Sequence, residues 1–244
     1  MRLDLMGKKE GGFAKSRLPQ RVISDADSDF LDELAKLKEL PDRVFWKECF
    51  NRSKLTRGYT EEKILRLGKL ASDCGEEYAD KYRDELQGRS ITELCQAKGI
   101  IINEFAMPQS PTMELFGLFE APNTISIRAD LLRDCNNYLK SSGIGDIIGN
   151  INCGDIVLAH EFFHFVECKN EESIITCTYT EPHGLLGTGR AVPALGEIAA
   201  MSFARRLLLL DWNPFILDCV MMSMNNLPAA RAIAGRLLHF DNEA

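Results

Sequence analysis

The residue types able to do chemistry are concentrated in one stretch, DIVLAHEFFHFVE over residues 155–167, where His160 and His164 lie four positions apart and Glu161 follows the first. On a helix this spacing puts both imidazoles on one face, offering two nitrogens to one metal ion with the Glu161 carboxylate close by. The chemistry implied is amide hydrolysis in which a zinc ion supplies Lewis acidity and Glu161 moves the proton, first from water and then to the leaving amine. Ile156, Val157, Leu158, Ala159, Phe162, Phe163, Phe165 and Val166 make the stretch apolar on nearly every side, which predicts a buried helix. Two histidines and a glutamate are costly to bury unless ligated or hydrogen-bonded. The plainer alternative is a core helix that carries its histidines by chance, but half of the protein's four histidines sit at this spacing around a glutamate.

A catalytic zinc takes three protein ligands and keeps one position open. The HExxHxxGxxH arrangement is excluded, since Glu167 and Asn170 stand where it requires Gly and His. Glu197 is the better candidate, in GEIAAMSFAR over residues 196–205, where Ala199, Ala200 and Ala204 are small enough to let a second helix approach the first. His183, Glu167, Glu171 and Glu172 compete for the same role. Cys168, four residues after His164, offers a thiolate or a point of redox control, with Cys153 at the other end of the stretch; buried, inert thiols are the plain reading of both.

These residues need elements to position them. Phe30, Leu31, Leu34, Leu37 and Leu40 recur at helical spacing, Pro41 interrupts, and Val44, Phe45 and Phe50 continue, predicting a helical hairpin. Thr60 caps a long helix to about residue 86 and Ser90 a shorter one to residue 99. Three short runs of β type, 100–105, 114–120 and 124–128, separated by prolines, predict a small antiparallel sheet. Helical spacing then returns over 130–139, 155–168, 190–210, 214–224 and 228–239, with 168–190 left as a polar loop or lid. The expected architecture is α+β, a small antiparallel sheet flanked by helices, with residues 1–24 a loosely docked arm. Residues 1–58 form an N-terminal arm and helical extension, and 59–244 the domain that carries the chemistry.

With 45% hydrophobic and 27% charged residues over 244 positions, the composition excludes fibrous, low-complexity and wholly disordered classes. Residues 1–58 hold 13 basic and 10 acidic side chains, so a net charge of −7 for the whole leaves −10 on the remainder. An acidic chain with pI near 5.3 is poorly matched to nucleic acid and better matched to a basic protein partner. Asp4 and Lys8 interrupt any apolar leader, and the longest apolar stretches fall well short of the ~20 residues of a membrane span. Eight cysteines without a CxxC pair read as reduced thiols, so a cytoplasmic protein is expected.

The sequence HEFFH, followed by EIAAMSFARRLL from Glu197, resembles the ImmA/IrrE family of zincin-like metallopeptidases. Residues 99–104 (GIIINE), 115–120 (LFGLFE) and 123–127 (NTISI) are similar to the strands that precede the metal helix in that family. The resemblance covers roughly residues 60–225. It implies a zincin-like fold, a zinc cofactor held by His160, His164 and Glu197, and Glu161 as catalytic base. It further implies a protein substrate, a DNA-binding repressor of helix-turn-helix type. In zincins an extended substrate lies along an edge strand, here 113–120 with Gly117 in it, and His183 or Tyr179 is a candidate donor to the oxyanion. The 168–190 stretch, the displaced Pro214 and the absence of a sensor domain after Asn225 depart from the family pattern. The competing reading is a catalytically silent module that regulates a partner by binding it. An intact Glu161 argues against that, because binding alone needs no general base.

Overall fold

The computed structural model describes residues 25–105, 116–149, 151–183 and 188–242, of which 25–27, 182, 183, 188 and 242 are described by backbone alone. The expected arm over residues 1–24 and the start of the second β run, up to residue 115, lie outside the described residues.

Helix α1 (Asp25–Lys38) and helix α2 (Asp42–Arg52) are separated at Pro41, which stands at the N-cap of α2. Phe30, Leu34 and Leu37 of α1 and Val44, Phe45 and Phe50 of α2 are buried in the same cluster as Phe162, Phe163 and Phe165 of the stretch containing HEFFH. Helix α3 (Glu61–Leu86) starts where the Lys63 N–H donates to Thr60 Oγ1 at 3.3 Å, and α4 (Ile91–Ala97) where Ser90 and Glu93 form a capping box. The polar N-cap oxygens satisfy backbone donors that the first turn leaves free, so these starts are fixed by purely local chemistry.

A three-stranded sheet follows: β1 (Ile101–Glu104), β2 (Gly117–Glu120) and β3 (Thr124–Ile127), in the order β1-β3-β2. β3 is central and runs antiparallel to β2, with Gly117 opposite Ile127, but parallel to β1, with Ile101 opposite Thr124. The sheet is therefore mixed, and the expectation of an antiparallel one is corrected. β1 and β2 run antiparallel with one strand position between them, and β3 fills it in the direction of β1. Among the described residues, β2 pairs only with β3 and keeps its other edge unpaired.

The remaining helices are α5 (Ala129–Ser141), α6 (Ile144–Ile148), α7 (Cys153–Lys169), α8 (Ile175–Thr178), α9 (Pro193–Leu208), α10 (Ile216–Asn225) and α11 (Leu227–Asn242). Within the stretch expected to be a loop, α8 leads into a hairpin of β4 (Thr180–His183) and β5 (Thr188–Ala191), and α9 begins at Pro193 rather than at residue 190. Proline suits that first helical position because it has no N–H to leave unsatisfied.

α7 lies at the centre, packed by α9, α4, α5, β2 and β3. α9 is also pressed on α3: a Cβ on Gly75 of α3 would fall 2.1 Å from the Ala199 carbonyl oxygen, so the two backbones are in contact. The small residues of α9 therefore serve its approach to α3 as well as to α7. Ser202 donates to Ser72 at 2.9 Å across the same seam, and Arg206 pairs with Asp80 at its end. The architecture is α+β, predominantly helical.

Candidate metal centre

α7 places His160 and His164 one turn apart on the side facing α9, with their Nε2 atoms 3.2 Å from each other. α9 brings Glu197 to the same point: Oε2 is 3.5 Å from His160 Nε2 and Oε1 is 3.9 Å from His164 Nε2. The three residues can each offer a ligand atom within 4.8 Å of the others, and they are the group of this kind found among the described residues. Ligands at 2.0–2.2 Å from a tetrahedral ion stand about 3.3–3.6 Å apart; the observed 3.2, 3.5 and 3.9 Å lie within or up to 0.3 Å outside that range, close to the corners of one coordination sphere. Two imidazoles and a carboxylate also match, in chemistry, a zinc site that leaves a fourth position open. The Glu197 side chain is 49% exposed while those of His160 and His164 are 13% and 22% exposed, so the trio opens to solvent from the Glu197 side.

Charge follows geometry. Burial favours neutral His160, but the hydrogen bond and the charge of Glu197 outweigh it and raise the imidazole to about 9. Burial likewise works against an ionised Glu197, and His160, then His164 and the Arg52 guanidinium, reverse it and lower the carboxyl to about 2. Both shifts favour an imidazolium paired with a carboxylate. Arg52, at the end of α2, is itself held by Asp218 of α10 at 2.9 Å, and Asp218 adds to the field that keeps His160 charged.

Of the competing ligands, Glu167 takes a different position. Its Oε2 lies 2.6 Å from His164 Nδ1, the ring nitrogen facing away from the trio, and so the carboxylate can fix the ring and its tautomer. α9 makes room for it, since a Cβ on Gly196 would fall 3.0 Å from Glu167 Oε1. His160 Nδ1 is buried and has no hydrogen-bond partner among the described residues. Glu171 and Glu172 lie in the turn after α7, outside the trio. His183 ends β4, its backbone opposite Thr188, and its side chain lies outside the described residues.

Glu161 faces the sheet. A Cβ on Gly117, the first residue of β2, would stand 2.8 Å from Glu161 Cγ, 2.9 Å from Glu161 Oε1 and 2.6 Å from Val157 Cγ1. Only a residue without a side chain lets the strand come this near, so Gly117 packs directly on the candidate base. Tyr179 is committed elsewhere: its hydroxyl donates to Glu181, which also accepts from Lys63 Nζ at 2.8 Å, and the Lys63 ammonium lies 3.8 Å from the centre of the Tyr59 ring. This cluster clamps β4 to the start of α3.

Three features escaped the sequence reading: the support of His164 by Glu167, the contact of Gly117 with Glu161, and the charged wall of Arg52 and Asp218. The first had a signal, because Glu167 is three residues after His164 and such pairs meet on a helix. The others join segments distant in the chain and had none. No described helix is long and apolar enough to cross a membrane. In comparisons with known proteins, no family model, no curated protein and no solved structure matches this chain.

Proposed function

We propose that the protein is a zinc-dependent peptidase with a zincin-like catalytic core, acting on a specific protein. The observation that carries this reading is the meeting of His160, His164 and Glu197 at coordination distance, with Glu161 adjacent to His160 in α7 and within range of its charge. A zinc ion held by these three would supply Lewis acidity, polarising an amide carbonyl and making water nucleophilic near neutral pH.

The chain's own groups supply the rest. Glu161 accepts a proton from the attacking water at its carboxylate and delivers it to the departing amine nitrogen. Gly117 and Val157 crowd its side chain and restrict where the carboxylate can point. Glu167 holds the His164 ring in place. The open edge of β2 can align an extended substrate by main-chain hydrogen bonds, next to the residue that bears the base. With −7 overall, the acidic surface favours encounter with a basic protein, in keeping with a DNA-binding repressor as the substrate.

The test is to load the purified protein with zinc, mix it with a peptide library made by digesting a whole proteome, and map new termini by mass spectrometry. Cuts made by the wild type and missing with Glu161→Gln are expected. No cuts, or the same cuts from both proteins, would overturn the proposal, and stable capture of a partner without cleavage by either would favour a binding module.

A further inference from the structure

α5 and the first residue of α7 bring two thiols together, away from the metal centre. Cys135 and Cys153 are both fully buried, and the Cys153 thiol donates to the Cys135 sulfur at 3.1 Å. A separate set of hydrogen bonds fixes the backbone on either side of them. Asn136, next to Cys135, accepts from the Cys153 N–H at 2.8 Å and donates to Asn152 Oδ1 at 3.1 Å. The same Asn152 oxygen accepts from the Gly154 N–H at 3.0 Å, capping α7. Sulfurs in a disulfide stand about 2.05 Å apart, so bonding asks for a closure of about 1 Å. Small rotations of two side chains can provide that while the backbone bonds stay made. Cys49, also buried, has the Ala194 carbonyl oxygen as its partner instead, at 3.7 Å.

We propose that Cys135 and Cys153 are a dithiol that closes to a disulfide, tying α5 to the N-terminus of the helix that carries His160 and His164. The oxidant is a small-molecule disulfide. One cysteine, as thiolate, attacks it, forming a mixed disulfide and releasing one small thiol. The second cysteine then displaces the other small thiol, forming the protein S–S bond. Two cysteine S–H bonds are lost, and their two protons and two electrons leave on the two released thiols. In the reduced protein the proton shared between the Cys135 and Cys153 sulfurs, together with burial, keeps the Cys135 thiol protonated far above the ordinary thiol range. Exchange therefore proceeds through local opening of the contact between α5 and α7 and is slow.

The full chain is equilibrated in glutathione buffers running from wholly reduced to wholly oxidised, quenched with an alkylating agent in denaturant, digested without reduction and read by mass spectrometry. Cys177, which is exposed, serves as the internal control for the oxidant and takes up glutathione as a mixed disulfide. The expected result is a peptide cross-linked through Cys135 and Cys153, with neither thiol alkylated. Because the bond closes a loop of 18 residues, the oxidised protein should melt about 5–10 °C higher than the reduced one. Alkylated Cys135 and Cys153 in fully oxidised glutathione, with Cys177 modified, would overturn the proposal. So would a cross-link that lowers the melting temperature, since the bond would then form only by distorting the fold. Cys135→Ala should abolish the cross-link, and if that variant does not fold, the peptide map of the wild type decides.

Discussion

The two working faces of α7 are built in opposite ways. Toward α9 the contact is polar and open: donor atoms of His160, His164 and Glu197 stand 3.2–3.9 Å apart, and the Glu197 side chain is about half exposed. Toward β2 the contact is tight, with Gly117 so near that a single methyl group would collide with Val157 and Glu161. The open face leaves room between three donors for an ion. The closed face holds one carboxylate where it is needed. Under the proposed function, metal affinity and proton transfer would be set by different neighbours, α9 for the first and β2 for the second, and each should be open to damage without the other.

The largest effect is expected on the open face. Glu197→Ala removes one of three ligands and leaves two imidazoles 3.2 Å apart with no carboxylate to balance an ion. Stoichiometric zinc binding, measured by competition with a chelator, should be lost while the circular dichroism spectrum stays that of the wild type, because the side chain is half exposed. Retained stoichiometric binding would remove Glu197 from the site. On the closed face, Glu161→Gln keeps the shape and removes the base, so hydrolysis should fall by at least ~100-fold with zinc affinity unchanged. If the variant lost zinc as well, the two faces would not be independent.

Glu167→Gln tests how far the open face extends behind its ligands. The amide can still accept from His164 Nδ1 but lacks the charge that strengthens the ring as a donor, and support of this kind is worth about 10–100-fold in metal affinity. Glu167→Ala should lose at least as much, and Glu167→Asp should recover part of it. Equal affinity in all three would show that the 2.6 Å contact has no bearing on the metal.

The legible parts of this molecule were those decided within a few residues. The four-residue spacing of His160 and His164, the Thr60 and Ser90 caps and the break at Pro41 each follow from local backbone chemistry, and each has its counterpart in the structure. The order of the sheet was not legible, because alternation identifies a strand without naming its neighbour. The β4 and β5 hairpin was missed since Pro182 and Gly189 make poor strand residues taken alone, while pairing and the Glu181 anchor to Lys63 hold it in place. Glu167 was visible as an acidic residue near the motif, but its role was set by reach: three positions on, its carboxylate meets the Nδ1 side of the His164 ring while Nε2 points toward α9.

Gly117→Ala is expected to give the smallest effect and to discriminate most finely between the faces. The added Cβ has its nearest neighbours on Val157 and Glu161, at 2.6–2.9 Å, and it sits on a strand paired to β3, which limits how far the backbone can retreat. Overpacking of this sort costs about 1–3 kcal/mol, which in a chain of this size lowers the melting temperature by several degrees. Relief requires Val157 or Glu161 to give way, and two of the three nearest atoms are those of Glu161, so the carboxylate is displaced from the sheet. Catalysis should drop by about tenfold, an intermediate loss, because the base is displaced and not removed. Zinc affinity should remain within a factor of two, since no atom of His160, His164 or Glu197 is among the three nearest contacts of the new methyl group. The double variant Gly117→Ala with Glu161→Gln then separates position from identity. If the glycine acts through the carboxylate, adding Gly117→Ala to Glu161→Gln should cause no further loss of activity, whereas a second tenfold loss would mean that Gly117 serves the substrate strand directly.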